Sequence, residues 1–203
     1  MNLKHYQDQL NIKKGELSKL NSQLKDNKQK LTANKIDLDN IQEAQEIIQA
    51  VAKLTQEQIK IHISDIVNLA LQSIPFEEVV EFGLDFVVRR NSTECDLFFI
   101  QDENRINPID GSGGGVLDVA SFGLLLALWS LKVGKKNNTI ILDECFKFLS
   151  VDLREYVSDM LQSVCDKLGI QLIMVSHDPT FLESATTIHK VEKINGISKV
   201  VKL

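Results

Sequence analysis

Thr139-Ile140-Ile141-Leu142-Asp143-Glu144 and Ile170-Gln171-Leu172-Ile173-Met174-Val175-Ser176-His177-Asp178 are the two stretches on which the reading of this chain turns. Each is a short run of branched and apolar residues that ends in ionisable ones. Phe146-Lys147-Phe148-Leu149 and Ser150-Val151-Asp152-Leu153 follow the first run and lead into a helical stretch reaching about Leu168. Ser150 or Asp152 is expected to cap that helix, and Gly169 to end it. Strand, helix and strand, with fully apolar strands, is the pattern of a parallel α/β sheet. In such sheets ligands lie beyond the carboxyl ends of the strands. Asp143, Glu144 and His177 all fall there. Ionisable groups after buried strands are costly to place without a use. Asp143 could help fix a magnesium ion, directly or through water. Glu144 could accept a proton from an attacking water. His177 could donate to a phosphoryl oxygen or position that water. The plain alternative is three polar caps on strand ends, and the set in this order argues against it.

Upstream lies Asp110-Gly111-Ser112-Gly113-Gly114-Gly115, followed by Val116-Leu117-Asp118-Val119-Ala120-Ser121-Phe122-Gly123 and a further apolar run to Trp129. A glycine-rich turn that feeds a helix leaves backbone N–H groups unpaired, and the helix dipole adds partial positive charge. That arrangement suits a phosphate, and the Ser112 hydroxyl could donate to the same anion. It is not a complete nucleotide cradle. No Lys follows these glycines, so the P-loop pattern is absent, and Gly134-Lys135-Lys136-Asn137 is only a remnant of it. The dinucleotide fingerprint also fails, because Val116 stands where its last Gly or Ala belongs.

Further out, Leu3, Leu10, Leu17, Leu24, Leu31 and Leu38 recur every seven residues. The intermediate core positions are mixed: Leu20 and Ile41 are apolar, while Lys13, Asn27 and Asn34 are polar. A strict seven-residue stride of this length predicts a coiled coil over 1–55, and its polar half weakens the seam. From Ile47 to Leu71 a helical rhythm runs into a globular body, 56–203, and should stop before Pro75. Phe82–Arg90 and Glu94–Ile100 read as a β-hairpin turning at Asn91-Ser92-Thr93, followed by a polar loop over Gln101–Asp110. The helix from about Val116 to Val133 is apolar nearly all round and should be buried. Gly134–Asn138 reads as a turn, Pro179 opens a short helix, and His189–Ile194 and Ser198–Lys202 close the chain as a hairpin through Asn195-Gly196.

Composition bounds the rest. The chain has 203 residues, 43% hydrophobic and 25% charged, with a net charge of −5, so it does not announce nucleic-acid binding. Cys95, Cys145 and Cys165 stand far apart, with no C-x-x-C pair, which predicts reduced thiols in a cytoplasmic protein and no zinc site. The N-terminus has no apolar core of a signal peptide. The run around Phe122–Leu131 is too short to span a bilayer, so no membrane is expected.

The series of motifs resembles the C-terminal half of ABC-type ATPase heads of the SMC, SbcC and RecN kind, which act in chromosome organisation and double-strand-break repair. The order is coil, Ser-Gly-Gly-Gly before an apolar helix, apolar strand ending Asp-Glu, Ser-x-Asp before a helix, and apolar strand ending Ser-His-Asp. The resemblance covers essentially the whole chain and implies an α/β fold like the C-terminal lobe of those heads: a parallel sheet, flanking helices and an N-terminal coiled-coil helix. It implies that Ser112, Gly113 and Gly114 match the signature loop that contacts the γ-phosphate of ATP on the opposite head. Asp143 matches the Walker B aspartate serving Mg²⁺, Glu144 the catalytic base, and His177 the switch histidine. Ser150-Val151-Asp152 matches the D-loop, with Ser150 and Asp152 at a dimer interface. The departures are Gly111 and Gly115 around the signature and Cys145 where many members have Pro. The Walker A lobe and its lysine have no counterpart in these residues.

Two readings follow from the resemblance. In the first, the chain is a partial ATPase subunit in DNA repair, recombination or replication. It completes a composite site for ATP and Mg²⁺ with a separate Walker A-bearing half-head, whose helix pairs with Leu3–Leu38, and it hydrolyses ATP only when so completed. In the second, it is a non-catalytic coiled-coil protein, a homodimeric scaffold or a decoy for a host SMC- or SbcC-like ATPase, as would suit a phage. DNA and a nuclease are further partners that the resemblance implies. Arg89, Arg90, Lys132, Lys135 and Lys136 are the candidate DNA contacts, set against the acidic balance of the domain.

Overall fold

Helix α1 occupies Leu3–Gln72 in the computed structural model, which describes residues 3–132 and 138–203, with side chains from Tyr6 onward. Contacts divide the chain into two units, Met1–Thr55 and Gln56–Leu203. In the first unit the described apolar side chains of the seven-residue stripe, Leu10 to Leu38, are all exposed; the Leu3 side chain lies outside the described ones. The helix does not break on its way into the second unit. It stops three residues before Pro75, as the restriction that a proline places on its predecessor requires.

In the second unit α1 contributes Ile63, Val67, Ala70 and Leu71 to the core. An antiparallel sheet follows, β1 (Glu81–Arg89), β2 (Ser92–Gln101) and β3 (Asn104–Ile106), in that order. The hairpin turns at Arg90-Asn91, both at positive φ, and not over Asn91–Thr93. The pairing Arg89↔Ser92 carries β2 back to Ser92. The expected polar loop over 101–110 contains a second tight turn at Asp102-Glu103, the strand β3, and the one-turn helix α2 (Pro108–Gly111). Asn107 caps α2, its side chain accepting from the Ile109 N–H at 3.1 Å.

Helix α3 spans Gly114–Leu131. It is apolar over most of its surface but buried on one side only. Val119, Ala120, Phe122, Gly123, Leu126 and Ala127 face the core, whereas Leu125 and Leu128 are exposed. Gly123 lets α1 approach closely, since a Cβ there would lie 2.9 Å from the Val67 Cα. With 18 residues, α3 is long and apolar enough to cross a membrane, so the length argument from Phe122–Leu131 does not hold. Its packing against Val67 and Phe146 is that of a core helix. Lys135, Lys136 and most of the expected 134–138 turn lie outside the described residues.

Strands β4 (Thr139–Asp143) and β5 (Gln171–Val175) pair in parallel, with Asp143 opposite Val175. A 3₁₀ turn (Val151–Leu153) and helix α4 (Arg154–Leu168) connect them. Leu153 occupies the N-cap of α4, and neither Ser150 nor Asp152 provides the expected cap hydrogen bond. Gly169 ends α4 at φ 62°, a left-handed position that glycine takes without strain. The sheet is covered on one face. Ile140 and Leu142 are buried, but Ile141, Ile173 and Val175 on the other face are 69%, 45% and 51% exposed. Helix α5 (Thr180–Glu183) and the hairpin β6 (His189–Ile194) and β7 (Ile197–Lys202) complete the chain.

Candidate functional site at the ends of the parallel strands

The ends of β4 and β5 are joined by one backbone hydrogen bond, from the Glu144 N–H to the Val175 carbonyl at 3.0 Å. Glu144 has φ 52° and Phe146 has φ 64°. Two left-handed non-glycine residues in one short loop are uncommon, and such conformations persist only where the surroundings enforce them. Phe146 provides the anchor. Its buried ring meets Phe122 of α3 edge to face at 5.7 Å and Phe181 of α5 at 6.2 Å. Burying an aromatic ring of this kind is worth enough to hold the backbone of the turn. The turn then carries Glu144 to the mouth of a cleft of about 310 Å³ lined by Cys145, Lys147, Arg154, Ser176, His177 and Asp178, among others.

Across that cleft His177 Nε2 lies 3.2 Å from Glu144 Oε1. The two side chains are 92% and 42% exposed. Asp143, the last residue of β4, is exposed, and its carbonyl accepts from the Cys145 thiol at 3.8 Å. Burial pushes the Cys145 thiol above its ordinary range, so it stays protonated at neutral pH. Among the described residues no three His, Cys, Asp or Glu side chains cluster as a metal cage. Magnesium does not need one. It keeps several waters and takes one or two carboxylates beside substrate phosphates, so the donor set at Asp143 fits that ion and not a structural zinc.

The N-terminus of α3 meets the same loop further along. A Cβ on Gly114 would fall 2.8 Å from the Phe148 Cβ, and one on Gly115 would fall 3.0 Å from Leu149 Cδ1. Gly113, the N-cap, faces open space. Ser112 is half-buried, and its hydroxyl donates to the Pro108 carbonyl at 2.6 Å, so it closes α2 before it can serve a ligand. Asp118 accepts from the Phe148 N–H at 3.1 Å. Burial raises the Asp118 carboxyl, against the opposing pull of that N–H and of Lys147. Ser150 and Asp152 are exposed, Ser150 at the N-cap of the 3₁₀ turn and Asp152 within it. The structure thus brings Glu144 and His177 together, sets Gly114 and Gly115 against Phe148 and Leu149, and leaves Gly113 open and Ser112 bonded to Pro108. Phe146, Asp118, Arg154 and Asp178 were not singled out by sequence. The apolar Phe146 within the polar run from Asp143 to Lys147 is the one signal that could have marked its loop.

Of the basic residues considered for DNA, Arg89 is committed to Asp96, at 2.6 and 2.7 Å, and to Glu94 at 3.2 Å. Arg90 and Lys132 are exposed.

Comparison with known proteins gives the strand-end arrangement a context. Over 94 residues the chain is 33% identical to a protein of Aquifex aeolicus (strain VF5) named "Probable DNA double-strand break repair Rad50 ATPase". That stretch is 46% of this chain and 10% of the relative. No family model matches the chain. Among solved structures, the Smc head domain with a coiled coil and joint from Pyrococcus yayanosii matches 89% of this chain and 34% of its own, with TM-score 0.61 and 20% identity. A second structure, from a study of ATP-driven dimerization and DNA stimulated activation of SMC ATPases, matches 76% of this chain and 88% of its own, with TM-score 0.55 and 18% identity. The fold is that of part of an SMC head with its coiled-coil helix. Over those 94 residues the chain is homologous to the Rad50 ATPase, and its likeness to the Smc heads is one of fold.

Proposed function

We propose that this chain supplies half of a composite ATP site, and that the other half comes from a lobe carrying Walker A on a separate chain. The Glu144–His177 contact at the ends of two parallel strands carries this reading. The pair is open to water, where a carboxylate and an imidazole at 3.2 Å do little. Covered by a second lobe they would work in a low dielectric, where oriented groups act strongly on developing charge. The uncovered apolar face of β4 and β5 beside them supports such a cover.

In that site Glu144 accepts the proton of the attacking water, as a base positioned by its left-handed turn. His177 orients Glu144 and donates toward the transferred phosphoryl group. Asp143 would hold magnesium, directly or through water; the ion, when bound, screens the phosphate charge. Ser112, Gly113 and Gly114 act in trans, the N–H groups at the start of α3 facing the γ-phosphate held by the Walker A lobe of an opposite composite head. Ser150 and Asp152 lie at that interface. The stripe from Leu3 to Leu38 pairs with the partner's helix. DNA repair or recombination is the setting, in the cytoplasm, with DNA and a nuclease as downstream partners.

Affinity purification from the native host, with mass spectrometry of what accompanies the chain, is the first test. A co-purifying P-loop protein and ATP turnover on its addition are expected. Glu144→Gln should lower that turnover about 10²–10⁴-fold while leaving assembly intact. Full turnover in Glu144→Gln would remove the base. A second reading rests on the exposed leucine stripe: a non-catalytic coil that binds a host SMC- or SbcC-like ATPase, or itself, as a phage decoy would. Recovery of that host ATPase, with no turnover gained, selects it.

A further inference from the structure

Arg154, the first residue of α4, reaches two loops at once. Its Nε and Nη2 both donate to the Leu149 carbonyl, at 3.3 and 3.2 Å. Its Nη1 donates to the Asp178 carboxylate, with which it forms an ion pair. Leu149 lies near the end of the loop that begins at Glu144, and Asp178 directly follows His177. The two side chains of the pair are 22% and 14% exposed, far more sheltered than Glu144 and His177. Asp178 is held in turn: its Oδ1 accepts from the Thr180 N–H at 2.9 Å, and its own N–H donates to Ser176 Oγ at 3.0 Å. Burial pushes the Asp178 carboxyl up, but the Thr180 hydrogen bonds and the Arg154 guanidinium outweigh it and leave the carboxyl below its ordinary range. It is therefore ionised wherever the protein is folded at neutral pH.

The Glu144–His177 contact cannot hold these loops by itself. An exposed pair of this kind contributes little, because water screens it and two mobile side chains must be ordered to make it. The bond from the Glu144 N–H to Val175 ties the loops at their roots, at the ends of the strands. On the far side of the cleft the tie is Arg154. A planar guanidinium can grip a carbonyl with two N–H groups and a carboxylate with a third in one fixed geometry, whereas an ammonium cannot.

We propose that Arg154 is a positioning residue that clamps Leu149 to Asp178 and so sets the separation of Glu144 from His177. It touches neither of them. The consequence for turnover rests on the composite-site reading above; the clamp itself does not.

The test uses the full chain and follows the His177 ring nitrogens by long-range ¹H–¹⁵N correlation spectra at one pH. Four proteins are compared: the natural chain, Glu144→Gln, Arg154→Lys and the double variant. Glu144→Gln should move the His177 ring signals in the natural background and leave them unmoved in the Arg154→Lys background. Arg154→Lys alone should shift them toward their position in Glu144→Gln. An equal response in both backgrounds overturns the clamp, and so does no response in the natural one, since there is then no pair to hold. Unchanged signals from Phe122 and Phe181 show that the fold is retained. If Arg154→Lys does not fold, Asp178→Asn takes its place, because the amide keeps an oxygen for Thr180 and loses the ion pair. With a Walker A partner, Arg154→Lys should lower kcat about ten- to a hundredfold with KM little changed. Loss of KM alone overturns the positioning role. Absence of turnover with every partner sinks the composite-site reading and leaves the ring-signal result to stand or fall separately.

Discussion

Two stretches of one helix carry the same kind of side chain and meet opposite fates. From Leu10 to Leu54 the apolar residues of α1 are 54–67% exposed. From Ile63 to Leu71 the core-facing ones are 0–7% exposed. Periodicity reports that an apolar stripe exists, not what covers it. In the second stretch the cover is within the chain: α3 and β1. In the first it must come from elsewhere, or the leucines gain nothing by their spacing. Leu71→Ala should therefore cost about 2–5 kcal/mol in urea unfolding. Leu24→Ala, in dilute solution, should change stability by no more than about 0.5 kcal/mol. A comparable loss in Leu24→Ala that grows with protein concentration would show that the stripe is already paired, in a homomeric coil. A comparable loss independent of concentration would break the contrast altogether.

The approach of α3 to the lower stretch sharpens the same contrast. Gly123 faces the Val67 backbone, so a larger residue has no flexible side chain to push aside. Gly123→Val should destabilise by about 1–3 kcal/mol, at the upper end because the obstacle is main chain. Gly15, in the upper stretch, has nothing within reach of a Cβ. Gly15→Ala should raise helicity and add up to about 1 kcal/mol. Thermal melts of the two variants read both signs. A stabilising Gly123→Val would mean that α1 and α3 are not in contact in solution.

What sequence made legible follows the same division between pattern and cover. The strands Thr139–Asp143 and Gln171–Val175 were readable because branched apolar runs stop at polar residues. Gly169 was readable because a left-handed helix end has few other solutions. The one-sided burial of α3 and of the parallel strands was not, since an apolar residue looks the same beneath a core and beneath an absent neighbour. The turn at Arg90-Asn91 was misplaced because arginine gives no sign of a left-handed backbone; the pairing of Arg89 with Ser92 decides it. Strand β3 was missed because three residues are too few to show a period. At the site, Asp143, Glu144 and His177 announce themselves as polar residues closing apolar runs. Arg154 and Asp178 lie 24 positions apart, and a contact of that separation leaves no periodic trace.

The smallest effect concerns how the start of α3 is tied to the Glu144 loop. Asp118 accepts the Phe148 N–H in a half-buried place, and burial raises its carboxyl above the unfolded value. A group shifted that way stabilises the fold fully below the unfolded pKa and loses that contribution as pH rises through the folded one. Protonated Asp118 resembles asparagine, which also offers Phe148 a carbonyl oxygen. The natural chain and Asp118→Asn should therefore be equally stable near pH 3.5, and the variant should pull ahead as pH rises toward 7. Asp118→Ala removes the acceptor and should cost about 0.5–1.5 kcal/mol at low pH. Urea titrations at the two pH values give the comparison. If the natural chain instead gains on Asp118→Asn with rising pH, the Phe148 N–H and Lys147 outweigh burial. Asp118 is then a charged tether between the glycine-led helix and the loop of Glu144, gained as pH rises to the unfolded pKa and constant above it.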